Sequence, residues 1–211
     1  MASENTRKEL FDRWSVHYDK SVKGDAFPFT GYREVLNAIL RVADLETGQR
    51  ILDLGVGTGN LSRCLMKITD QVWGADFSDE MLKRARAVLP QSHLIQVDLR
   101  KDDWPDAMQD PFDRILSAYT YHEFTDVYKI TLLLRLAQES LTADGLIVIG
   151  DISYQMRSKF EEAHQDLLGL WDEDEFYWCA ENMIPQLEEA GFKVEYEQVS
   201  TCGGIYRISK K

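Results

Sequence analysis

The chain has 211 residues, 44% of them hydrophobic and 28% charged, which is globular usage and excludes a disordered chain. Against 36 Asp and Glu stand only 24 Lys and Arg, a formal charge of −12. That argues against a wide nucleic-acid footprint and tilts towards a neutral or cationic small partner. No apolar run approaches the ~20 residues of a membrane span, so no membrane partner is expected.

The polar, mixed-charge stretch from Met1 to Leu10 does not read as a signal peptide. The first 45 residues read as helices, with Val35, Leu36, Ile39, Leu40 and Ala43 on one face. Arg50 to Leu54 is a short apolar strand that breaks into Gly55-Val56-Gly57-Thr58-Gly59. A helical run follows, with Leu61, Cys64, Leu65 and Ile68. Gln71 to Asp76 is a second strand. Ser78 is placed to cap a helix whose buried face is Met81, Leu82, Ala85, Val88 and Leu89.

Strand-like runs continue at His93–Val97, ending on Asp98, and at Phe112–Ala118. Thr125 or Asp126 caps a helix carrying Ile130, Leu133, Leu136 and Ala137. Asp144-Gly145 reads as a turn before the apolar strand Leu146–Ile149, which ends at Asp151. Five strands alternating with helices predict a parallel sheet covered on both faces. Phe192–Val199 and Ile205–Ser209, separated by a Gly-containing loop, predict an antiparallel pair at the sheet edge. The expected fold is Rossmann-like: a doubly wound α/β sheet of seven strands, mostly parallel, antiparallel at its C-terminal end. The whole chain, 1–211, is expected to be one domain, with helices over 1–45 as a cap and 153–190 as a helical lid. Cys64, Cys179 and Cys202, with no C-x-x-C, suit reduced thiols and a cytoplasmic location.

A strand, a glycine loop and a helix put backbone N–H groups and a helix N-terminus against a polar ligand. Asp53 lies within the strand, Asp76 ends the next and Asp98 the third, so three carboxylates fall at or near one sheet edge. The loop is G-x-G-x-G, and Asn60 stands where a dinucleotide fingerprint wants a third glycine. Asp53 would repel a pyrophosphate and suit an ammonium. The pattern therefore favours a nucleoside with a cationic tail over a nicotinamide dinucleotide.

The stretch Ile51 to Leu61 resembles the first motif of class I S-adenosylmethionine (SAM) methyltransferases. Asp76, the pair Asp98-Leu99, the segment Ser117–His122 and the turn Leu141–Leu146 match later motifs of that family. Phe11-Asp12-x-x-Ser15-x-x-Tyr18-Asp19 resembles the N-terminal helix of its small-molecule branch, and the nearest likeness is the bacterial YrrT-like group. The resemblance implies SAM as cofactor. Gly55, Gly57, Gly59, Asn60 and Ser117 would lie along it and Asp53 would take its amino group. Asp76 would hold the ribose, Phe77 would flank the adenine, and Asp98 and Leu99 would meet the adenine edge. Tyr18 would close over the sulfonium.

Methyl transfer is an in-line displacement that needs alignment above all, and a base only for some acceptors. Tyr119, Tyr121 and His122 follow strand four. His122 is either a general base or a hydrogen-bonded wall residue. Asp151 either accepts from a substrate or caps the next helix. His17 reads as a surface helix residue. No metal motif is legible. Trp171–Trp178 is either an aromatic, acidic cover suited to an amine or a helix with one packed aromatic face and one solvated acidic face. After strand four there is no Asn/Asp-Pro-Pro-Tyr and nowhere a Pro-Cys nucleophile, so a small-molecule acceptor is expected, on a monomer or homodimer. A SAM-binding sensor without turnover, an aminopropyltransferase or a nicotinamide-dependent oxidoreductase are the alternatives.

Overall fold

The computed structural model describes residues 12–13, 15, 18–101 and 103–211. Phe11 and His17, named above, lie outside the described residues. A short helix, α1 (Tyr18–Ser21), leads to α2 (Tyr32–Val42), whose buried face is Tyr32, Val35, Leu36, Ala38 and Ile39. Then come β1 (Ile51–Leu54), the one-turn α3 (Ser62–Leu65), β2 (Val72–Asp76), α4 (Asp79–Val88) and β3 (His93–Gln96). A one-turn α5 (Asp106–Gln109) precedes β4 (Phe112–Ala118), and α6 (Asp126–Glu139) precedes β5 (Leu141–Tyr154). The chain ends through α7 (Arg157–Asp166), the two-residue β6 (Trp178–Cys179), α8 (Ala180–Glu189), β7 (Phe192–Gln198) and β8 (Gly203–Lys210).

The sheet order is β3-β2-β1-β4-β5-β8-β7, with β6 paired to the end of β5. The first five strands are parallel. β8 runs antiparallel to both β5 and β7. This is the doubly wound, Rossmann-like α/β arrangement expected, with an eighth, minimal strand. The strand order reverses between β1 and β4, and a crevice opens beyond their carboxyl ends. β1 is buried along its whole length, as a central strand covered on both faces must be.

Local signals and structure agree at the caps. Ser78 Oγ accepts from Met81 N at 3.2 Å, and Thr125 Oγ1 accepts from Tyr128 N at 3.3 Å. Three features differ. The expected turn at Asp144-Gly145 is absorbed into β5 as a bulge: Phe112 faces Leu141 but Arg114 faces Leu146. The buried face of α6 begins with Lys129, not Ile130. Lys129 Nζ, fully buried, donates to Asp126 Oδ1 at 2.9 Å and to the Phe176 carbonyl at 2.5 Å, above the Trp178 ring. The third is Trp171–Trp178, which is not a helix but turns leading into β6.

Within 153–190, Trp178, Ala180, Met183 and Leu187 are buried in the body of the molecule beneath β7 and β8. The portion that faces the crevice is the loop before β6. Trp171 is its hub. It stacks on Phe27 and Tyr154 (centroids 6.1 Å in each case) and meets Tyr177 edge-on at 4.5 Å. No helix among the described residues is long and apolar enough to cross a membrane.

Candidate active site

The crevice is lined by residues of the glycine loop, the ends of β2 and β4 and the segment before β6, among them Gly55, Asp76, Asp98, His122 and Glu175. The chain turns sharply out of β1, with Gly55 at φ 73° and Gly59 at φ 89°. These are left-handed conformations that a side chain disfavours. A Cβ on Gly55 would overlap Thr120 Oγ1, and one on Gly59 would come within 2.7 Å of Leu89 Cδ1. Gly55 and Gly57 line the crevice, whereas Gly59 lets α4 pack close.

Asp76, at the end of β2, accepts from Gly57 N and Ser78 N, both at 2.9 Å, and so ties the loop to the strand. Burial raises its pKa to about 6 against the opposing backbone hydrogen bonds. Asp53 is 1% exposed and accepts from Ser62 Oγ at 2.6 Å. Burial raises it to about 7, with Asp76 adding to the rise. Asp53 lines a side pocket with Tyr18, Tyr32, Gly55, Gly57, Thr58 and Asn60. Both carboxylates are held ready by neutral donors, which suits hydroxyl and ammonium ligands and does not suit phosphate.

Phe77, Asp98 and Leu99 line the far end of the crevice, and Asp98 Oδ1 accepts from Arg100 N at 3.0 Å. Tyr18 lines both spaces. Asn60 is at the rim, where its amide donates to Asp19 Oδ1 at 3.2 Å beside Thr58 Oγ1 at 2.7 Å, fastening α1 to the glycine loop. Ser117 is turned elsewhere. Its hydroxyl donates to the Leu54 carbonyl at 2.8 Å inside the sheet, and it lines neither space. Tyr119 holds φ 55°, a strained value for an aromatic residue, and its ring forms the crevice wall with Phe29 (5.5 Å) and Tyr32 (5.1 Å). Burial pushes its phenol far up, so it does not ionise near neutral pH.

A second part of the crevice wall is built from distant parts of the chain. His122 lies in a single 3-10 turn (Tyr121–Glu123) after β4. Asp151, fully buried in β5, accepts from His122 N at 2.9 Å and pairs with His122 Nδ1 at 2.6 Å. It also accepts from Ile152 N at 2.8 Å and Trp178 Nε1 at 3.4 Å. Asp151 therefore does not cap a helix; it orients the imidazole. His122 Nε2 then points towards Glu123 Oε1 (3.9 Å) and Glu175 Oε1 (3.8 Å). Burial alone would lower the His122 pKa, but Asp151, Glu175 and Glu123 outweigh it and carry it up to about 9. At neutral pH the free protein holds an imidazolium, which cannot accept a proton until it loses one. Burial raises Glu175, opposed by the nearby His122. Glu175 enters because Phe176 N donates to the His122 carbonyl at 2.7 Å while Lys129 holds the Phe176 carbonyl. Asp172, Glu173 and Asp174 stay exposed, so the acidic run divides between crevice and solvent.

A doubly wound sheet with an antiparallel end, a glycine loop after β1 and an acidic residue ending β2 define the class I SAM-dependent methyltransferase fold. The family described as "Methyltransferase domain" matches residues 45–197. An uncharacterized methyltransferase of Geobacillus kaustophilus is 31% identical over 204 residues, covering 90% of both chains. The chain belongs to this methyltransferase family, and SAM is the cofactor of the class. Two solved structures share the fold: a DhpI complex described with SAM and HEP (TM-score 0.75, 18% identity, 99% of each chain), and the magnesium protoporphyrin IX methyltransferase of Synechocystis PCC 6803 with bound SAH (0.70, 16%, 99% of this chain and all of that one). The names of these relatives do not single out the YrrT-like group.

Proposed function

We propose that the protein transfers the methyl group of SAM to a small-molecule acceptor held between the cofactor and the loop before β6. The observation that supports this most is enclosure. The side chains of His122, Glu123 and Glu175, which line the crevice, are only 8%, 9% and 16% exposed. An acceptor must enter a roofed space of small-molecule size, and the acidic lining repels a nucleic-acid backbone.

In this reading Asp76 accepts from the ribose hydroxyls and Asp98 from the adenine amine, with Phe77 and Leu99 against the base. Gly55 and Gly57 lie along the methionine part, and Asp53 faces its ammonium. Tyr18 covers the sulfonium, where its ring face suits a positive sulfur. Gly59, Asn60, Ser117 and Tyr119 support the loop and walls and do not touch the cofactor. His122 stands nearest the acceptor. Holding nucleophile, methyl and sulfur in line supplies most of the acceleration, up to ~7–11 kcal/mol.

Calorimetric titration with SAM, S-adenosylhomocysteine and NAD tests the cofactor. Micromolar binding of both sulfur nucleosides and none of NAD is the expected result; NAD binding alone would overturn the reading. A methyl-release screen over hydroxy acids, phenols, amines and thiols, set against a protein and an oligonucleotide substrate, tests the acceptor class. Turnover confined to a macromolecule would remove the small-molecule assignment.

A further inference from the structure

His122 Nε2, Glu123 Oε1 and Glu175 Oε1 converge. All three ligand atoms lie within 4.8 Å of one another. The Nε2–oxygen distances of 3.8 and 3.9 Å are too long for hydrogen bonds. They exceed by a few tenths of an ångström the roughly 3.3–3.6 Å between two atoms that share one tetrahedral ion at bond lengths of about 2.0–2.2 Å, a gap that rotation of the carboxylates closes. The second observation concerns the imidazole. Asp151, with no exposed side-chain surface, fixes His122 through Nδ1 at 2.6 Å and through the backbone N–H at 2.9 Å, which aims Nε2 at the two carboxylates. A buried carboxylate behind the ring is the support that metal-ligating histidines have. Arg100 Nη2 stands 3.9 Å from Oε2 of Glu123, the oxygen that is not among the three ligand atoms.

We infer that His122, Glu123 and Glu175 bind a divalent first-row metal ion, Mn²⁺ or Zn²⁺ in class, in the acceptor half of the crevice. One imidazole and two carboxylates are a mixed nitrogen–oxygen donor set suited to such ions and poorly suited to Mg²⁺. Three protein ligands leave positions open for an acceptor oxygen. The ion would hold that oxygen and favour its deprotonated form, so the acceptor class that fits is a hydroxyl compound with a second oxygen able to chelate. The acceptor class rests on the methyltransferase reading above; the ion site does not.

The test reads the ion itself. The full chain, stripped with a chelator, is titrated with Mn²⁺ by electron paramagnetic resonance and with Zn²⁺ by calorimetry at pH 8, without acceptor. One ion per chain is expected, weakened at least ten-fold in Glu175→Gln and in Glu123→Gln and unchanged in His164→Ala, which alters an exposed histidine paired with Glu173. SAM titration of the same variants reports folding and cofactor binding separately. SAM binding without a stoichiometric ion overturns the metal site and leaves the methyltransferase reading intact. An ion bound equally well by Glu175→Gln also overturns it.

Discussion

The two halves of the crevice are made in different ways. The cofactor half comes from one stretch of chain, residues 53–99, in which three successive strands deliver a glycine loop and a carboxylate to the same sheet edge. Its donors are largely backbone N–H groups, and its geometry follows from φ values that few residues adopt. The acceptor half is assembled from His122, Asp151 and Glu175, on three elements separated by 29 and 24 positions. Its geometry follows from side chains holding side chains. One half is therefore broken by altering a single atom of the loop, the other by altering a partner that no ligand touches.

Asp76→Ala should give the largest effect on the first half. It removes a buried carboxylate that ties Gly57 to the strand and that, in the proposed reading, faces the ribose hydroxyls. Losing two charge-assisted hydrogen bonds corresponds to about 3–4 kcal/mol, a weakening of SAM by a few hundred-fold. Calorimetry measures it, and a change below five-fold would separate Asp76 from the cofactor. Gly55→Ala attacks the same half through the backbone. The new methyl group is strained at φ 73° and collides with Thr120. A loss of about 2–3 kcal/mol in stability is expected, read as the midpoint of denaturant unfolding.

Asp151→Asn is the corresponding cut in the second half. The amide keeps the shape but cannot accept from all four donors that surround the carboxylate. Once an acceptor is known, kcat should fall about 10–100-fold, the range for a group that orients another. SAM affinity should stay within two-fold. An equal loss of both would mean that the halves are not independent.

The difference also decides what the sequence reveals. The glycine loop, Asp53, Asp76 and Asp98 are legible because strand, turn and helix are local and the carboxylates sit at strand ends. Ser78 and Thr125 are legible as caps for the same reason. For Ser117 the sequence does not show that position 117 lies one residue inside β4, where its hydroxyl donates to the neighbouring strand. The bulge at 142–145 hides behind a good turn dipeptide. Lys129 defeats a hydrophobic-face count because its ammonium finds an acidic partner, a carbonyl and an indole inside the fold. Glu175 looks like any member of an acidic run. The hydrogen bond from Phe176 N to the His122 carbonyl, with Lys129 on the Phe176 carbonyl, brings it inward.

The smallest effect is a pH dependence that should run in opposite directions with and without cofactor. Burial raises Asp53 to about 7 and Asp76 to about 6, against about 3.9 in an unfolded chain. Between about pH 4 and 7 the folded, ligand-free protein therefore holds protons that the unfolded chain has released. These groups favour the folded state most at the acid end, and that contribution is lost as pH rises through 6 and 7. SAM reverses the sign, because an ammonium beside Asp53 and hydroxyls on Asp76 favour the ionised forms. Affinity should fall about ten-fold per pH unit between 7 and 6 and about 100-fold per unit below 6, where Asp76 also takes up a proton, until the bound-state pKa values are reached, about 1.4 kcal/mol per unit for each group. Titrations at pH 7, 6 and 5.5 measure it, with Asp53→Asn as the control that removes the slope between pH 7 and 6. His122 stays protonated across this window in the metal-free protein, so it contributes no slope of its own. A ten-fold slope between pH 7 and 6 that survives in Asp53→Asn would move the titrating group, and the ammonium of SAM with it, away from Asp53.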